Sequence, residues 1–447
     1  MGHNQPKISG PIYDARELGY PRMLVLGFQF MCAMFAGNVL VAVLVGLDVA
    51  TTLFAAGIGT LLFHFITKFK VPVFLGSSFA FMAAYSIVAP NGEHELLVYA
   101  CFGMVIAGLV YVLVGQIMRI FGVSKVMRLF PPVVTGPIIL CIGAGMSAST
   151  VTMAAENWIL AIVGAVVVII CSVFGKNMVK IMPVLIGLIV SYLLAIPLGA
   201  VDFTPVKEAA WFGFPIIYEH TVFSIFQAPD YGLMLSATLT ILPLCLAALV
   251  EHVGDIVAVG NTCKKNFVKD PGLHRTLAGD GLATTLASLI GGPSNTTFTE
   301  GTACLSLTQV YDPRIVRIAA IIMALLGCCP KLAAIVNCIP QGTLGGVSIV
   351  MYATLATVGL RSIVNGKVDF DKSRNVMIVG IIIIVTVGVR YGLPNGIVIP
   401  IGSTSFSLSG MAVGAILGIL LNVILPGRDE DVNLELSEEI EEKLAEK

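Results

Sequence analysis

The 447-residue chain has an apolar composition, with 57% hydrophobic residues, 12% charged residues and a mean hydropathy of +0.93. This composition excludes an ordinary soluble protein and predicts a polytopic membrane protein that is largely surrounded by lipid. The net charge of −1 argues against binding to nucleic acid. The ten cysteines form no CxxC or Cys/His spacing, so we interpret them as small core residues and predict neither a metal site nor a cofactor.

Apolar segments follow one another along the chain after a polar opening. Residues 1–22 lack a signal-peptide core and are predicted to be a cytoplasmic N-terminus. About 20 apolar residues cross a bilayer as a helix, and about fourteen segments reach or approach that length. Seven lie in the first half, at 23–46, 52–69, 71–89, 97–117, 133–148, 158–174 and 183–199. Seven lie in the second half, at 233–259, 276–290, 294–308, 315–329, 343–360, 376–389 and 409–425.

Lysine and arginine are concentrated in alternate connections between these segments, for example at 264–275 and 361–374. Cytoplasmic loops carry the excess of basic residues in membrane proteins. Both termini are therefore predicted to lie in the cytoplasm, below a cytoplasmic (inner) membrane, and the connection 200–232 outside. The acidic residues 426–447 are predicted to form a solvated cytoplasmic tail.

Two of the segments, spans 3 and 10, are interrupted by polar residues. At 294–298, Ser, Thr and Phe favour an extended backbone, and the sequence after Glu300 favours a helix. The SSF sequence that ends at Phe79 resembles the TTF sequence that ends at Phe298, 219 positions later. Because each half has seven spans, the second half enters the membrane from the opposite side. We therefore predict an all-α fold of two inverted repeats, whose broken spans, with short extended strands, meet near the midplane.

Four carboxylates lie inside predicted spans: Glu251, Asp255, Asp280 and Glu300. A charge at the membrane centre costs at least about 2.5–3.5 kcal/mol, so each is a candidate for substrate binding or proton exchange. Simpler alternatives stay open. Glu251 and Asp255 could mark a helix end, Asp280 could make a packing hydrogen bond beside two glycines, and Glu300 could cap a half-helix.

Two aromatic residues and two backbone positions suit a planar ligand. Phe79 and Phe298 occupy equivalent places in the two repeats, where a ring can pack on a heterocycle. The N–H groups of Phe79 and Thr299, at the starts of the half-helices, are predicted donors to a ligand carbonyl. Together with carboxylate acceptors, these donors fit a ligand with alternating N–H and C=O groups.

Several long motifs carry a family resemblance. They are GIGTLL from Gly57, VPVFLGSSFAF from Val71, ALVEHVGDIV from Ala248, KDPGLHR from Lys269, SNTTFTEG from Ser294 and GGVSIVMY from Gly345. In these motifs the chain resembles the nucleobase/ascorbate transporter family, most closely its bacterial uracil:proton symporters. The resemblance implies a core domain of residues 23–117 (spans 1–4) and 233–329 (spans 8–11). The gate domain would comprise 118–232 (spans 5–7 and the external connection) and 330–425 (spans 12–14).

The resemblance also implies roles for particular residues. Glu251 and Glu300 would bind the base, and Phe79 would pack on it. Gly37, Phe298 and Thr299 would line the same pocket, with Tyr352 facing it from the gate domain. Glu251, Asp255, Asp280 and Glu300 would supply proton coupling.

The resulting prediction is a proton-coupled importer of a nucleobase, uracil, that works by alternating access. Glu300 is typical of uracil carriers, whereas Asp255 and Asp280 are more like the purine branch, so a xanthine or other purine permease is the alternative. A channel is a more distant alternative, and no HExxH or GxSxG pattern supports an intramembrane enzyme. The predicted partners are the base, a proton and lipid, and a homodimer stays an open alternative.

Overall fold

The computed structural model describes residues 10–90, 92–122, 131–393, 396–401 and 404–427. The helices of the first half are α1 (Tyr20–Val45), α2 (Val49–Ile66), α3 (Met82–Val88), α4 (His94–Phe121), α5 (Pro132–Gly145), α6 (Ser147–Ala155), α7 (Trp158–Phe174), α8 (Met178–Ile181), α9 (Pro183–Ala195) and α10 (Thr204–Glu208). Those of the second half are α11 (Tyr231–Cys263), α12 (Leu273–Leu289), α13 (Thr299–Thr308), α14 (Pro313–Gly327), α15 (Pro330–Asn337), α16 (Gln341–Asn365), α17 (Ser373–Gly392) and α18 (Gly410–Ile424). The strands are β1 (Leu75–Ser77), β2 (Asn295–Thr297), β3 (Ile397–Ile401) and β4 (Thr404–Leu408). Short 3₁₀ turns cover Ala15–Leu18, Tyr218–His220 and Val222–Gln227, and a π turn covers Val268–Gly272.

Many of these helices are long and apolar enough to cross a membrane. Within the described ranges, seven helical segments have the length and apolar composition to cross a membrane: α1, α2, α4, α5 continued by α6, α11, α16 and α17. The pair α14 and α15, which is bent by 81°, would make an eighth span. The apolar helices α7, α9 and α18 are shorter. A helical multi-pass protein is therefore confirmed, while the count of fourteen spans stays a prediction.

The two broken segments meet as a pair of antiparallel strands. Leu75 of β1 lies opposite Thr297 of β2, and Ser77 lies opposite Asn295. The pairing continues beyond the strands, because the Ser78 N–H donates to the carbonyl of residue 294 at 2.9 Å. Each strand leads into a short helix, α3 or α13. The predicted change from extended to helical backbone inside both segments is thus confirmed.

Buried polar side chains on neighbouring helices hold β1. The Thr60 hydroxyl on α2 donates to the Leu75 carbonyl (3.1 Å) and accepts from the Leu75 N–H (2.9 Å). The Asn38 side-chain oxygen on α1 accepts from the Ser77 N–H (2.8 Å) and hydroxyl (2.9 Å). Non-helical backbone needs such partners at membrane depth, because lipid offers none.

The second strand is held in the same manner. The Thr284 hydroxyl on α12 donates to the Asn295 carbonyl at 2.7 Å. The Asn295 amide donates to the Ala55 carbonyl on α2 at 3.3 Å. A Cβ on Gly59 would lie 2.2 Å from that amide nitrogen, so only glycine fits there. The helix α2 therefore contacts both strands.

The helices that surround the strands pack closely on one another. α4 packs on α11 and α12, while α2 packs on α12 and α14. A Cβ on Gly108 of α4 would lie 2.4 Å from the Gly281 carbonyl oxygen of α12, and a Cβ on Gly281 would lie 2.4 Å from the Gly108 carbonyl oxygen. Elsewhere α16 packs on α5, α6 and α7, and α17 packs on α18.

One part of the all-α expectation is wrong. Between α17 and α18, where only a connection between spans is expected, β3 and β4 form an antiparallel pair with Ile397 opposite Leu408. The β-branched residues Ile397, Val398 and Ile399 pack well in a strand, although a short apolar run is compatible with either a strand or a helix. The Ser407 carbonyl accepts from the Thr240 hydroxyl of α11 at 3.3 Å, which joins the hairpin to that helix.

Candidate substrate site

Three of the predicted carboxylates are brought together at the paired strands. Glu251 and Asp255 lie one turn apart on α11, and Glu300 is the second residue of α13. α11 packs on both β2 and α13. The Asp255 carboxylate accepts a hydrogen bond from the Thr297 hydroxyl of β2 at 2.7 Å. Asp255 therefore ties α11 to the strand that precedes the half-helix.

The carboxylates also act on one another electrostatically. Glu251 and Asp255 lie on the same side of α11, and this helix packs on α13, which carries Glu300. Glu251 and Glu300 are each half-buried, whereas Asp255 and Asp280 are buried. Ionised carboxylates can only accept hydrogen bonds, whereas a protonated carboxyl group also carries a proton that it can donate. The cluster can therefore accept ligand N–H groups and hold a proton.

Two stacked phenyl rings border the cluster. The Phe79 and Phe298 ring centroids lie 6.4 Å apart, with an angle of 25° between the ring planes. A Cβ on Gly37 of α1 would lie 2.9 Å from the Phe298 ring, and one on Gly76 of β1 would lie 2.5 Å from it. Two glycines thus pack against the same edge of the Phe298 ring, while Phe79 is half-buried. Gly37, Phe79 and Phe298, all predicted site residues, are in mutual contact.

The other predicted site residues lie at the two half-helices. Thr299 is the first residue of α13, and its side chain is outside the described part of the protein. Tyr352 of α16 is buried, and its hydroxyl lies 3.3 Å from the Met82 sulfur at the start of α3. Tyr352 therefore joins α16 to the first half-helix.

Asp280 lies behind this cluster with a partner that was not predicted from the sequence. The Asp280 Oδ2 and His252 Nδ1 atoms are 3.0 Å apart, and both side chains are fully buried. The contact lacks the alignment of a hydrogen bond. His252 directly follows Glu251 on α11, and an ionisable residue inside an apolar span was the signal that could have identified it. Within the described ranges, no group of three or more His, Cys, Asp or Glu residues could hold a metal ion.

A family model described as "Permease family" matches residues 21–394. The chain belongs to this family, the nucleobase/ascorbate transporters. It is 37% identical over 438 residues to a uracil permease of Bacillus caldolyticus, with 96% of each chain covered. It is 37% identical to a uracil permease of Escherichia coli (strain K12), covering 89% of this chain and 90% of the relative. The putative pyrimidine permease RutG of the same strain is 34% identical, with 95% and 94% covered.

Solved structures of other transporters share the fold. The transmembrane domain of a cyanobacterium bicarbonate transporter, BicA, superposes with a TM-score of 0.61 at 15% identity, covering 92% of this chain and 99% of BicA. SLC26A9 gives a TM-score of 0.64 at 12% identity, covering 92% of this chain and 66% of SLC26A9. At these identities the likeness concerns the fold alone. This permease is thus a multi-pass membrane protein with the fold of these transporters.

Proposed function

We propose that this permease imports uracil together with a proton across the cytoplasmic membrane. Uracil permeases match it over nearly their whole length. The observation that carries the proposal is the packing of α11, with Glu251 and Asp255, on β2 and on α13, with Glu300, next to the stacked Phe79 and Phe298 rings. Acceptors and a flat apolar surface in one place suit a planar base that donates N–H groups.

In the proposed complex, Glu251 and Glu300 accept the two N–H groups of the pyrimidine ring. Phe79, which is half-buried, packs on the face of the base. The N–H of Thr299, at the positive end of α13, and the N–H of Phe79, three residues before α3, donate to its carbonyl oxygens. Tyr352 faces the site from α16, and Gly37 and Phe298 line the site.

Proton coupling is assigned to Glu251, Asp255, Asp280 and Glu300. The Asp255 carboxylate accepts a hydrogen bond from Thr297, and the Asp280 carboxylate lies next to the His252 ring. Asp255 and Asp280 can thus each exchange a proton beside a polar partner. Protonation of one carboxylate would reduce the repulsion within the cluster and so favour binding of the base beside it, which would couple proton binding to substrate binding.

Transport is proposed to follow alternating access between two domains. The core domain, residues 23–117 and 233–329, would carry both half-helices and move against the gate domain, residues 118–232 and 330–425. Packing of α1, α2, α4, α11, α12 and α14 around the strands, and of α16 on α5, α6 and α7, supports this division. Fourteen spans in two inverted repeats, with both termini in the cytoplasm, belong to the same proposal. Residues 428–447 of the acidic tail lie outside the described residues.

A xanthine or other purine permease is the second candidate, because Asp255 and Asp280 are part of the site region. The deciding experiment is uptake of radiolabelled uracil by proteoliposomes that contain the purified protein, with unlabelled bases as competitors. Saturable, uphill uptake that uracil competes for more strongly than xanthine is the expected result. Stronger competition by xanthine would favour the purine permease, and flux that neither saturates nor accumulates substrate would favour a channel.

A further inference from the structure

The segment that precedes α1 is docked on the rest of the protein, and we call residues 10–18 the N-terminal strap. The Ile12 N–H donates to the Gln309 carbonyl at 2.8 Å, and the Tyr311 N–H donates to the Ile12 carbonyl at 2.8 Å. Ile12 is buried in this bridge. Because Gln309 directly follows α13, the strap is bonded to the C-terminal end of the helix that carries Glu300.

The strap also reaches the C-terminal end of α11. The Tyr13 hydroxyl donates to the carbonyl of Cys263, the last residue of α11, at 3.1 Å. The centroids of the Tyr13 and Tyr311 rings lie 5.5 Å apart, and the Lys265 ammonium lies 4.9 Å from the centroid of the Tyr13 ring. Cys263 itself is fully buried. One tyrosine therefore contacts both the C-terminal end of α11 and the segment that follows α13.

Ionic contacts fix the same segment to α14. The Asp14 carboxylate pairs with Arg314 at 2.6 Å, and Asp312 accepts from the Ala15 N–H at 2.7 Å. Arg16 donates to Asp14 and holds the pKa of that carboxyl group well below its usual range. A lowered pKa means that this contribution is present above the ordinary pKa of an aspartate and is lost only in strong acid. The strap thus keeps its ionic contacts at physiological pH.

We infer that the N-terminal strap is a positioning element for the substrate site, acting through the C-terminal ends of α11 and α13. At a rise of 1.5 Å per residue, Gln309 lies about 13 Å from Glu300, and Cys263 lies about 12 Å from Asp255. Packed helices move as rigid bodies, so a shift at these ends displaces the carboxylates. This inference rests on the proposed function, because it takes Glu300 and Asp255 as parts of the site.

The test uses the purified full-length permease and two substitutions of the same strap residue. Tyr13→Phe removes only the hydroxyl bond to Cys263, whereas Tyr13→Ala also removes the ring contacts with Tyr311 and Lys265. Glu17→Ala is the matched control, because Glu17 is an exposed residue of the same segment. We expect uracil affinity to fall roughly 2- to 30-fold in Tyr13→Ala, less in Tyr13→Phe and not at all in Glu17→Ala.

A second measurement on the same samples reports the docking of the strap. Alkylation of Cys263 by a thiol reagent, followed by mass spectrometry, should be faster in Tyr13→Ala than in the wild type. Faster alkylation with unchanged uracil affinity would overturn the inference, since the strap would then cover α11 without positioning the site. Unchanged alkylation and unchanged affinity would overturn it as well. A wild-type protein that binds no uracil would instead contradict the proposed function, and the inference would fall with it.

Discussion

Glu251 and Glu300 are acceptors from two different helices, and neither is fully buried. Their half-buried state is what a site that opens to substrate requires, because a fully buried carboxylate without a partner would be too costly in a membrane. Asp255 and Asp280 differ, since each is buried beside a polar side chain. At the scale of single residues, the cluster thus divides into two half-buried acids and two buried acids that each lie beside a polar side chain.

Replacing either of the half-buried acids, Glu251 or Glu300, should weaken uracil binding. Each unmet N–H of the base would cost about 1–3 kcal/mol, so affinity should fall roughly 5- to 150-fold in Glu251→Ala or Glu300→Ala. Glu300→Gln should be milder and shift preference toward xanthine, because an amide adds a donor. Equilibrium binding of both bases to purified variants measures this, with the exposed Glu156→Ala as control. Wild-type affinity for both bases in the two alanine variants would remove these residues from the site.

The packing of the Phe298 ring makes Gly37 a sensitive position. A methyl group there would lie 2.9 Å from the ring, which is also packed closely against Gly76, where a Cβ would lie 2.5 Å from it. Overpacking of this kind costs about 1–3 kcal/mol. We expect Gly37→Ala to weaken uracil binding at least about fivefold. Gly380→Ala on α17, where the space around the glycine is open, is the control and should bind normally. Equal affinity in the two variants would contradict the proposed pocket.

At the scale of elements, two strands of three residues each occupy a region where lipid-facing backbone would be unstable. The Phe79 and Phe298 rings stack beside this pair, and the pairing brings together the segments that lead into α3 and α13. A threonine on α2 and another on α12 bond the backbone of the strands. In both halves of the chain, a threonine side chain therefore pairs with the strand backbone that lipid would leave without a hydrogen-bond partner.

Removing these threonine hydroxyls should destabilise the protein. Thr60→Val leaves the N–H and the carbonyl of Leu75 without this partner, and Thr284→Val leaves the carbonyl of Asn295 without its partner. Each unpaired backbone group lowers the free energy of unfolding by about 1–3 kcal/mol. We expect lower Tm values for both variants in detergent, and a larger decrease for Thr60→Val. Thr152→Val is the control, because its exposed hydroxyl bonds only its own helix. If all three variants melt with the wild type, the strands are held by other contacts.

The broken segments could be predicted because a run of polar residues inside an apolar span is costly in lipid and so marks a place where the helix is interrupted. The same reasoning located Glu251, Asp255 and Glu300, since a buried charge is costly wherever it lies. It could not supply the partner of Asp280, because contact between His252 and Asp280 depends on how α11 packs on α12. The hairpin Ile397–Leu408 was also missed, since a short apolar run fits a helix or a strand equally well. Likewise, no local pattern indicates that Tyr13 contacts Cys263.

At the scale of the whole molecule, α11 links the proposed domains. It carries Glu251 and Asp255, contacts β2 and α13, and also contacts the β4 strand and α18. A helix in contact with both proposed domains is a natural place for the substrate and the proton to affect domain movement. The hydrogen bond from Thr240 to Ser407 lies on this same helix, about three turns before Glu251.

The whole-molecule prediction concerns the driving ion. The clustered groups are carboxylates and a histidine, which can exchange protons near neutral pH. Uphill uracil uptake by proteoliposomes should therefore require an inward proton gradient and persist when sodium is replaced by potassium. A protonophore should abolish accumulation but leave equilibrium binding unchanged. Asp255→Asn should impair accumulation more than binding, because the amide can still pair with Thr297 but cannot carry a proton. Uptake that stops without sodium and survives the protonophore would rule out proton coupling, whatever the fate of the uracil site.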